Sequence, residues 1–369
     1  MKKILFITWT FSMGGGAEKM LSTLTRALPQ EEYEIDILEI GKFGNHTEKI
    51  HSNTKILTPI MNSFKDNKIV NFIKWQFLKY MPFFLRAIRT KNKRYDYEIA
   101  FNYLYPVFCL SKDARTIAWN HGSVYNLLEE ERNKKKMISS LKNVNKIVAI
   151  SDLTYDSLKK VFPMYTNKMI LLNNGYDFSE ISLKSNESPE FSIEEDSLLF
   201  LGRVEKSKGI LELLDLFLDI VDRFPNKKLY LLGTGELDEY VQSFIKEHSL
   251  ENNLIPLGYV SNPYPYIKSA SFIVMLSHAE GFPTVFVEGL SLGVGFVSTP
   301  VGGTMELSNN GECGFVSTCK NDCRDYLIKE LSKSKEDRII QPENCRKLVS
   351  KFDVSEQVKK FEEILEGIQ

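Results

Sequence analysis

Short apolar runs alternate with stretches of helical period along nearly the whole chain, and few folds accept that pattern. In the first half the runs fall at 3–9, 33–40, 95–101, 116–119, 146–151 and 169–173; in the second, at 197–202, 228–233, 253–257, 271–277 and 295–299. Strands separated by helices pair in parallel and need both sheet faces covered, which predicts an α/β protein. At 369 residues the chain exceeds one hydrophobic core. The reading is two Rossmann-like domains, 1–180 and 197–354, joined by a polar linker at 181–196 that carries Pro189. An amphipathic helix within 355–369 would pack back on the first domain. Doubly wound sheets bind ligands at the C-terminal ends of their strands, so two such domains facing across a cleft would hold substrates there.

Charge divides along the same line. Residues 1–190 carry 28 Lys and Arg against 20 Asp and Glu, and the remainder 19 against 28. A basic first half fits an anionic partner, but no basic stripe carries a nucleic-acid motif, so nucleic acid is excluded as a partner. Met1-Lys2-Lys3 and the apolar residues after it run straight into Gly14-Gly15-Gly16, which reads as a first strand rather than a signal peptide. No apolar stretch approaches the roughly 20 residues of a membrane span. Cys109, Cys313, Cys319, Cys323 and Cys345 are odd in number and lack zinc spacing, as in a reducing cytoplasm.

The residues fit for chemistry sit just after strands. Gly14-Gly15-Gly16 precedes a helix, where backbone N–H groups approach an anion or simply turn the chain. It is not a dinucleotide fingerprint, and Glu39 comes closest to the acidic residue that a ribose would need. In the loop 201–209, Gly202 precedes Arg203, a planar fork of donors, and Lys208, a point charge, stands before Gly209. A diphosphate leaving group needs such cations as charge builds on it. Gly233-Thr234-Gly235 permits close backbone approach to a base or phosphate. The segment 277–289 carries most: Glu280 in a loop, Gly281-Phe282-Pro283-Thr284-Val285 opening a helix, and Glu288 one turn inside it. Glu288 would accept hydrogen bonds from ribose hydroxyls, Glu280 would meet a sugar, and the first-turn N–H groups would face phosphate or sugar oxygens. His121, followed by Gly122, is either structural or a substrate contact.

Together these elements resemble the retaining GT-B glycosyltransferases of family four, which include many bacterial capsule, lipopolysaccharide and exopolysaccharide enzymes. The glycine loop, His121, Asn174-Gly175-Tyr176-Asp177, the Gly-Arg…Lys-Gly loop, the Glu-x7-Glu segment and Val301-Gly302-Gly303-Thr304-Met305-Glu306 stand in the family's order. The resemblance implies that Arg203 and Lys208 bind the donor diphosphate, Glu288 the ribose, and Gly15 and Gly16 the phosphates. Glu280 would contact the donor sugar near the reacting centre, and His121 would reach it from the other domain. Gly289 stands where alanine is usual, and Gly295 where proline is usual. The donor expected from the family's habits is a UDP-hexose or UDP-N-acetylhexosamine, and the acceptor a glycan or lipid-linked saccharide. Retention implies either front-face displacement, which we favour, or double displacement through a carboxylate. With no Asp-x-Asp motif, the expectation is no cofactor and no metal. A nucleotide-sugar epimerase on the same scaffold and a non-catalytic donor- or glycan-binding partner subunit are the alternatives.

Residues 64–95 add nine Lys and Arg against one acid, Asp66. At helical spacing, Ile69, Phe72, Ile73, Phe77 and Tyr80 form a stripe expected to pack on the core. Trp75 and Leu78 then share the other side with Lys68, Lys74 and Lys79, as a face for an anionic membrane. The competing reading buries Trp75 against a neighbour. The expected location is the cytoplasm, peripherally on the inner face of the cell membrane.

Overall fold

The computed structural model describes residues 1–45, 48–102, 104–128 and 131–368. The chain forms two compact units: Met1–Tyr176 with the C-terminal segment from Phe352, and Asp177–Lys351.

The first unit is built on a parallel sheet. Its strands are β1 (Lys2–Thr8), β2 (Tyr33–Glu39), β3 (Thr54–Ile56), β4 (Tyr97–Phe101), β5 (Arg115–Asn120), β6 (Lys146–Ala149) and β7 (Met169–Leu171), in the order β3-β2-β1-β4-β5-β6-β7. The central strand β1 is buried from Ile4 to Thr8, as a sheet covered on both faces requires. The three-residue edge strand β3 was not expected, since so short a run gives no period. The C-terminal helix Val354–Glu366 joins this unit, packing beside helix Gly16–Ala27. Its Phe361 is fully buried against Phe6 and Trp119, with ring centroids 6.3 and 5.5 Å away.

The chain leaves and re-enters this unit side by side. Tyr176 N–H donates to the Phe352 carbonyl at 2.8 Å, and Val354 N–H to the Tyr176 carbonyl at 3.0 Å. A side chain at Gly175 would strike Gln357 and the Val354 backbone within 2.8 Å, which explains the glycine of the Asn-Gly-Tyr-Asp motif.

The second unit repeats the architecture with β8 (Ser197–Leu201), β9 (Leu229–Leu232), β10 (Leu254–Gly258), β11 (Ala270–Met275), β12 (Gly295–Ser298) and β13 (Gly314–Val316), in the order β10-β9-β8-β11-β12-β13. The segment expected as a linker is part of this unit. Asp177 caps the helix Phe178–Lys184 by accepting Glu180 N–H at 2.8 Å, and Ile181 is buried beneath it. The polar residues that follow are pinned by side chains: Phe191 and Glu194 donate their N–H groups to the Tyr266 and Tyr230 hydroxyls at 2.8 and 3.0 Å. A polar sequence here covers a surface rather than spacing two domains.

Helix Lys68–Tyr80 in the first unit is rotated half a turn from expectation. Leu78 is fully buried, and Trp75 packs against Trp9 and Tyr105 at 6.0 and 5.2 Å between ring centroids. The expected core stripe is the exposed one, with Phe72 62% and Tyr80 72% accessible. Both faces of this helix are apolar, so periodicity gives no phase; the aromatic partners Trp9 and Tyr105 choose it. Lys74 is held by Asp66 at 2.7 Å, while Lys68 stays exposed. In the following helix, Pro82–Arg89, Arg86 is buried in an ion pair with Glu98.

Candidate active site

The second unit gathers its functional residues at the C-terminal ends of β8, β9 and β11. β8 delivers Gly202-Arg203 and a short turn, Lys206–Lys208, which Gly209 converts into the helix Ile210–Arg223. Gly209 has φ +68°, and a side chain there would lie 2.0 Å from the Leu276 carbonyl oxygen. That close approach of the turn to the end of β11 brings Lys208 against the loop that carries Glu280.

Lys208 Nζ donates to Glu280 Oε1 at 2.6 Å, and the Ser277 hydroxyl donates to the same oxygen at 3.0 Å. Both charged side chains are mostly buried, at 17% and 13% exposure. Ser277 is itself fixed, because Thr299 Oγ1 donates to its carbonyl at 2.5 Å. A cation and a carboxylate locked together at the mouth of a parallel sheet form a preorganised polar centre, in which each charge is compensated until a ligand arrives.

Helix Thr284–Ser291 begins beyond Pro283 with no side-chain cap; Phe286 N–H donates to the Pro283 carbonyl at 3.1 Å, so the Thr284 and Val285 N–H groups are the ones placed for an anion. Glu288 is buried within it, at 3% exposure. The loop 301–304 closes over this start. At Gly302, with φ +54°, a side chain would come 3.1 Å from the Gly281 carbonyl oxygen, and at Gly303 it would enter the Phe282 ring. The two departures from the family pattern have local causes: a side chain at Gly289 would lie 2.4 Å from Ile273 Cδ1, and one at Gly295 would lie 2.5 Å from Ile340 Cδ1. Ile273 and Ile340 occupy the space that a side chain at these positions would need.

Arg203 does not join this centre. Its guanidinium is 74% exposed and pairs with Glu205 at 2.9 Å. The Gly233-Thr234-Gly235 loop is zipped to the 202–204 loop: Gly202 N–H donates to the Leu232 carbonyl at 2.9 Å and Val204 N–H to the Thr234 carbonyl at 3.1 Å. Beside it opens a cavity of about 280 Å³ lined by Gly233, Thr234, Gln242, Leu257 and Gly258. Sequence reading missed Gly258, Ser277 and Thr299 as site residues; Gly258 alone left a signal, a glycine closing a strand. A larger cavity of about 580 Å³ lies at the N-terminal strand ends, next to Ser269 and Gly295, where the Asp196–Arg338 pair borders it. Ligands of such sheets bind at the opposite edge.

In the first unit, Gly15 precedes helix Gly16–Ala27, and Gly14, Gly15 and Gly16 are all exposed. Glu39 ends β2 but turns inward, accepting the Phe11 N–H at 3.0 Å, so it holds the loop rather than a ribose. His121 follows β5 and lies against the Phe101 ring at 4.2 Å. Its Nε2 is shut off from solvent and has no hydrogen-bond partner among the described residues. Burial alone pushes its pKa down to about 3, so the imidazole is neutral at physiological pH. A side chain at Gly122 would meet nothing within 4 Å among the described residues, so the backbone just after His121 borders open space.

Comparison with known proteins identifies the family and the fold. A model described as "Glycosyltransferase Family 4" matches residues 14–180, and one described as "Glycosyl transferases group 1" matches 184–351. The chain belongs to the family-four glycosyltransferases of the GT-B fold, and it is a glycosyltransferase. It is 29% identical over 245 residues to an uncharacterized glycosyltransferase of Methanocaldococcus jannaschii, covering 64% of this chain and 55% of that one, a little over half its length. It is 26% identical over 335 residues to N-acetylgalactosamine-N,N'-diacetylbacillosaminyl-diphospho-undecaprenol 4-alpha-N-acetylgalactosaminyltransferase of Campylobacter jejuni, covering 85% of each. The crystal structure of Anabaena HepE in complex with UDP and glucose shares the fold, with a TM-score of 0.75 over the whole of both chains at 17% identity.

Proposed function

We propose that the protein transfers a sugar, with retention, from a UDP-hexose or UDP-N-acetylhexosamine to a glycan or lipid-linked saccharide in cell-surface polysaccharide synthesis, of capsule or lipopolysaccharide type. The observation that carries the reading is the Lys208–Glu280 pair beside the uncapped start of helix Thr284–Ser291. The Campylobacter relative, whose name specifies a diphospho-undecaprenol-linked saccharide, supports a lipid-linked acceptor.

In this reading the donor's β-phosphate lies between Lys208 and the helix start, with Arg203 swinging from Glu205 to meet it and Glu288 receiving the ribose. The bond from the anomeric carbon to the phosphate oxygen breaks, and its electron pair stays on the phosphate. The acceptor oxygen attacks from the same face and gives its proton to the departing phosphate oxygen. Glu280 holds a sugar hydroxyl. Cations stabilise the leaving group in place of a metal, so transfer continues in EDTA. The test is thermal shift with uridine, guanosine and adenosine diphosphates, followed by UDP release from a panel of UDP-sugars. Selective stabilisation by UDP and release from one UDP-sugar are expected; equal response to all three nucleotides, or none, overturns the donor assignment.

A further inference from the structure

Helix Lys68–Tyr80 is apolar on two opposite faces, and only one is covered. Trp75 and Leu78 fill the inner face. Ile69, Phe72, Ile73, Phe77 and Tyr80 stand exposed on the outer one. Past the break at Met81 the exposure continues through Phe83, Phe84 and Ile88 on helix Pro82–Arg89. A soluble surface scatters single apolar residues; a continuous aromatic face across two helices marks an interaction site.

We infer that this two-helix face inserts into the headgroup–acyl boundary of an anionic bilayer. Charge selects the occupant. Residues 64–95 hold a single acid, Asp66, already neutralised by Lys74, whereas Lys65, Lys68, Lys91 and Arg94 remain exposed. The neighbouring helix Glu131–Leu141 extends the basic rim through Lys134 and Lys136: Lys136 Nζ donates to the Lys79 carbonyl at 3.4 Å, while Lys135 is paired with Glu131 at 2.8 Å. An apolar face inside a cationic rim complements acyl chains beneath anionic headgroups. A second copy would set like charges against each other. Helices of 13 and 8 residues are about 20 and 12 Å long, far short of a roughly 30 Å hydrocarbon core, so they lie in the interface plane.

The inference deepens the proposed function by giving the first unit a lipid partner, and it rests on that reading only for the reason to be at a membrane. The test is flotation of the full chain with phosphatidylglycerol–phosphatidylcholine vesicles and with phosphatidylcholine alone. The wild type binds the anionic vesicles. The triple variant Phe72→Ser, Phe77→Ser, Phe84→Ser loses about a hundredfold in partitioning while its melting temperature holds, because the three rings are already exposed. Lys65→Glu with Lys68→Glu loses about tenfold or more. Release of UDP to water, measured without vesicles, stays unchanged in both variants, which separates this claim from the donor chemistry. Undiminished flotation of the phenylalanine variant, no binding by the wild type, or a solution dimer abolished by the same three serines each overturns the inference.

Discussion

Lys208→Met and Glu280→Gln, separately and together, probe the centre of the site. The carboxylate oxygen that receives Lys208 at 2.6 Å also receives Ser277. Glu280→Gln leaves the Lys208 ammonium, only 17% exposed, without its counter-charge. Losing a hydrogen bond to a charged group of this kind costs about 1.5–3 kcal/mol of stability. Lys208→Met strands the carboxylate, but Ser277 still donates to it, so its cost falls at the lower end. In the proposed mechanism Lys208→Met removes a preorganised donor worth about 2.7–4 kcal/mol in the transition state, or roughly a hundred- to a thousandfold in kcat, and Glu280→Gln releases that donor from its position with a loss of the same order. If the two groups work as one unit, as proposed, the double variant should be about as slow as the slower single one, rather than the product of the two. A coupled UDP-release assay and chemical denaturation of the four proteins measure both couplings. Multiplicative losses in kcat, or singles within a fewfold of wild type, would refute the idea that the pair acts as one.

The other expectations follow from single contacts. His121 is neutral when folded and has a pKa near 3, against about 6.5 when unfolded, so its contribution is complete above pH 6.5 and lost as pH falls toward 3. Between pH 7.5 and pH 5 this amounts to roughly 2 kcal/mol that His121→Phe should not lose. Trp9, Trp75 and Trp119 all lie in the first unit, so tryptophan fluorescence in urea reads that unit; parallel pH dependence of the two proteins would contradict the assignment. Arg203→Ala should weaken donor use in steady-state kinetics while leaving the melting temperature unchanged, because the side chain is exposed and pairs only at the rim. Gly289→Ala should cost about 1–3 kcal/mol in denaturation through its clash with Ile273, with Ile273→Val restoring most of it.

Much of this architecture was legible because a strand buried on both faces leaves a continuous apolar run and each crossover helix a separate period. Residues 2–8 and 197–201 show this plainly. The three-residue edge strand β3 left no such trace. The Glu280 and Glu288 segment was readable from its place between a strand and a helix, but its partner was not: nothing in residues 203–209 says that Lys208 turns inward to Glu280 while Arg203 turns out to Glu205. That choice is made by the close approach of Gly209 to Leu276, a tertiary contact. The phase of helix Lys68–Tyr80 was undecidable for a similar reason, since two apolar faces compete and only Trp9 and Tyr105 settle which one is core. Helix Phe178–Lys184 escaped notice because a capped, mostly polar seven-residue helix buries only Ile181.

Retaining transfer from a nucleotide sugar is the central claim, and the stereochemistry of the first product tests it most directly. Proton NMR can follow an α-linked UDP-sugar, the one the UDP-release panel selects, as the enzyme transfers its sugar slowly to water in the presence of EDTA. Front-face departure assisted by Lys208 predicts that the α-anomer of the free sugar appears first, in step with UDP, and that the β-anomer grows in only by mutarotation. First appearance of the β-anomer, or UDP release that stops when the chelator is added, would contradict the account.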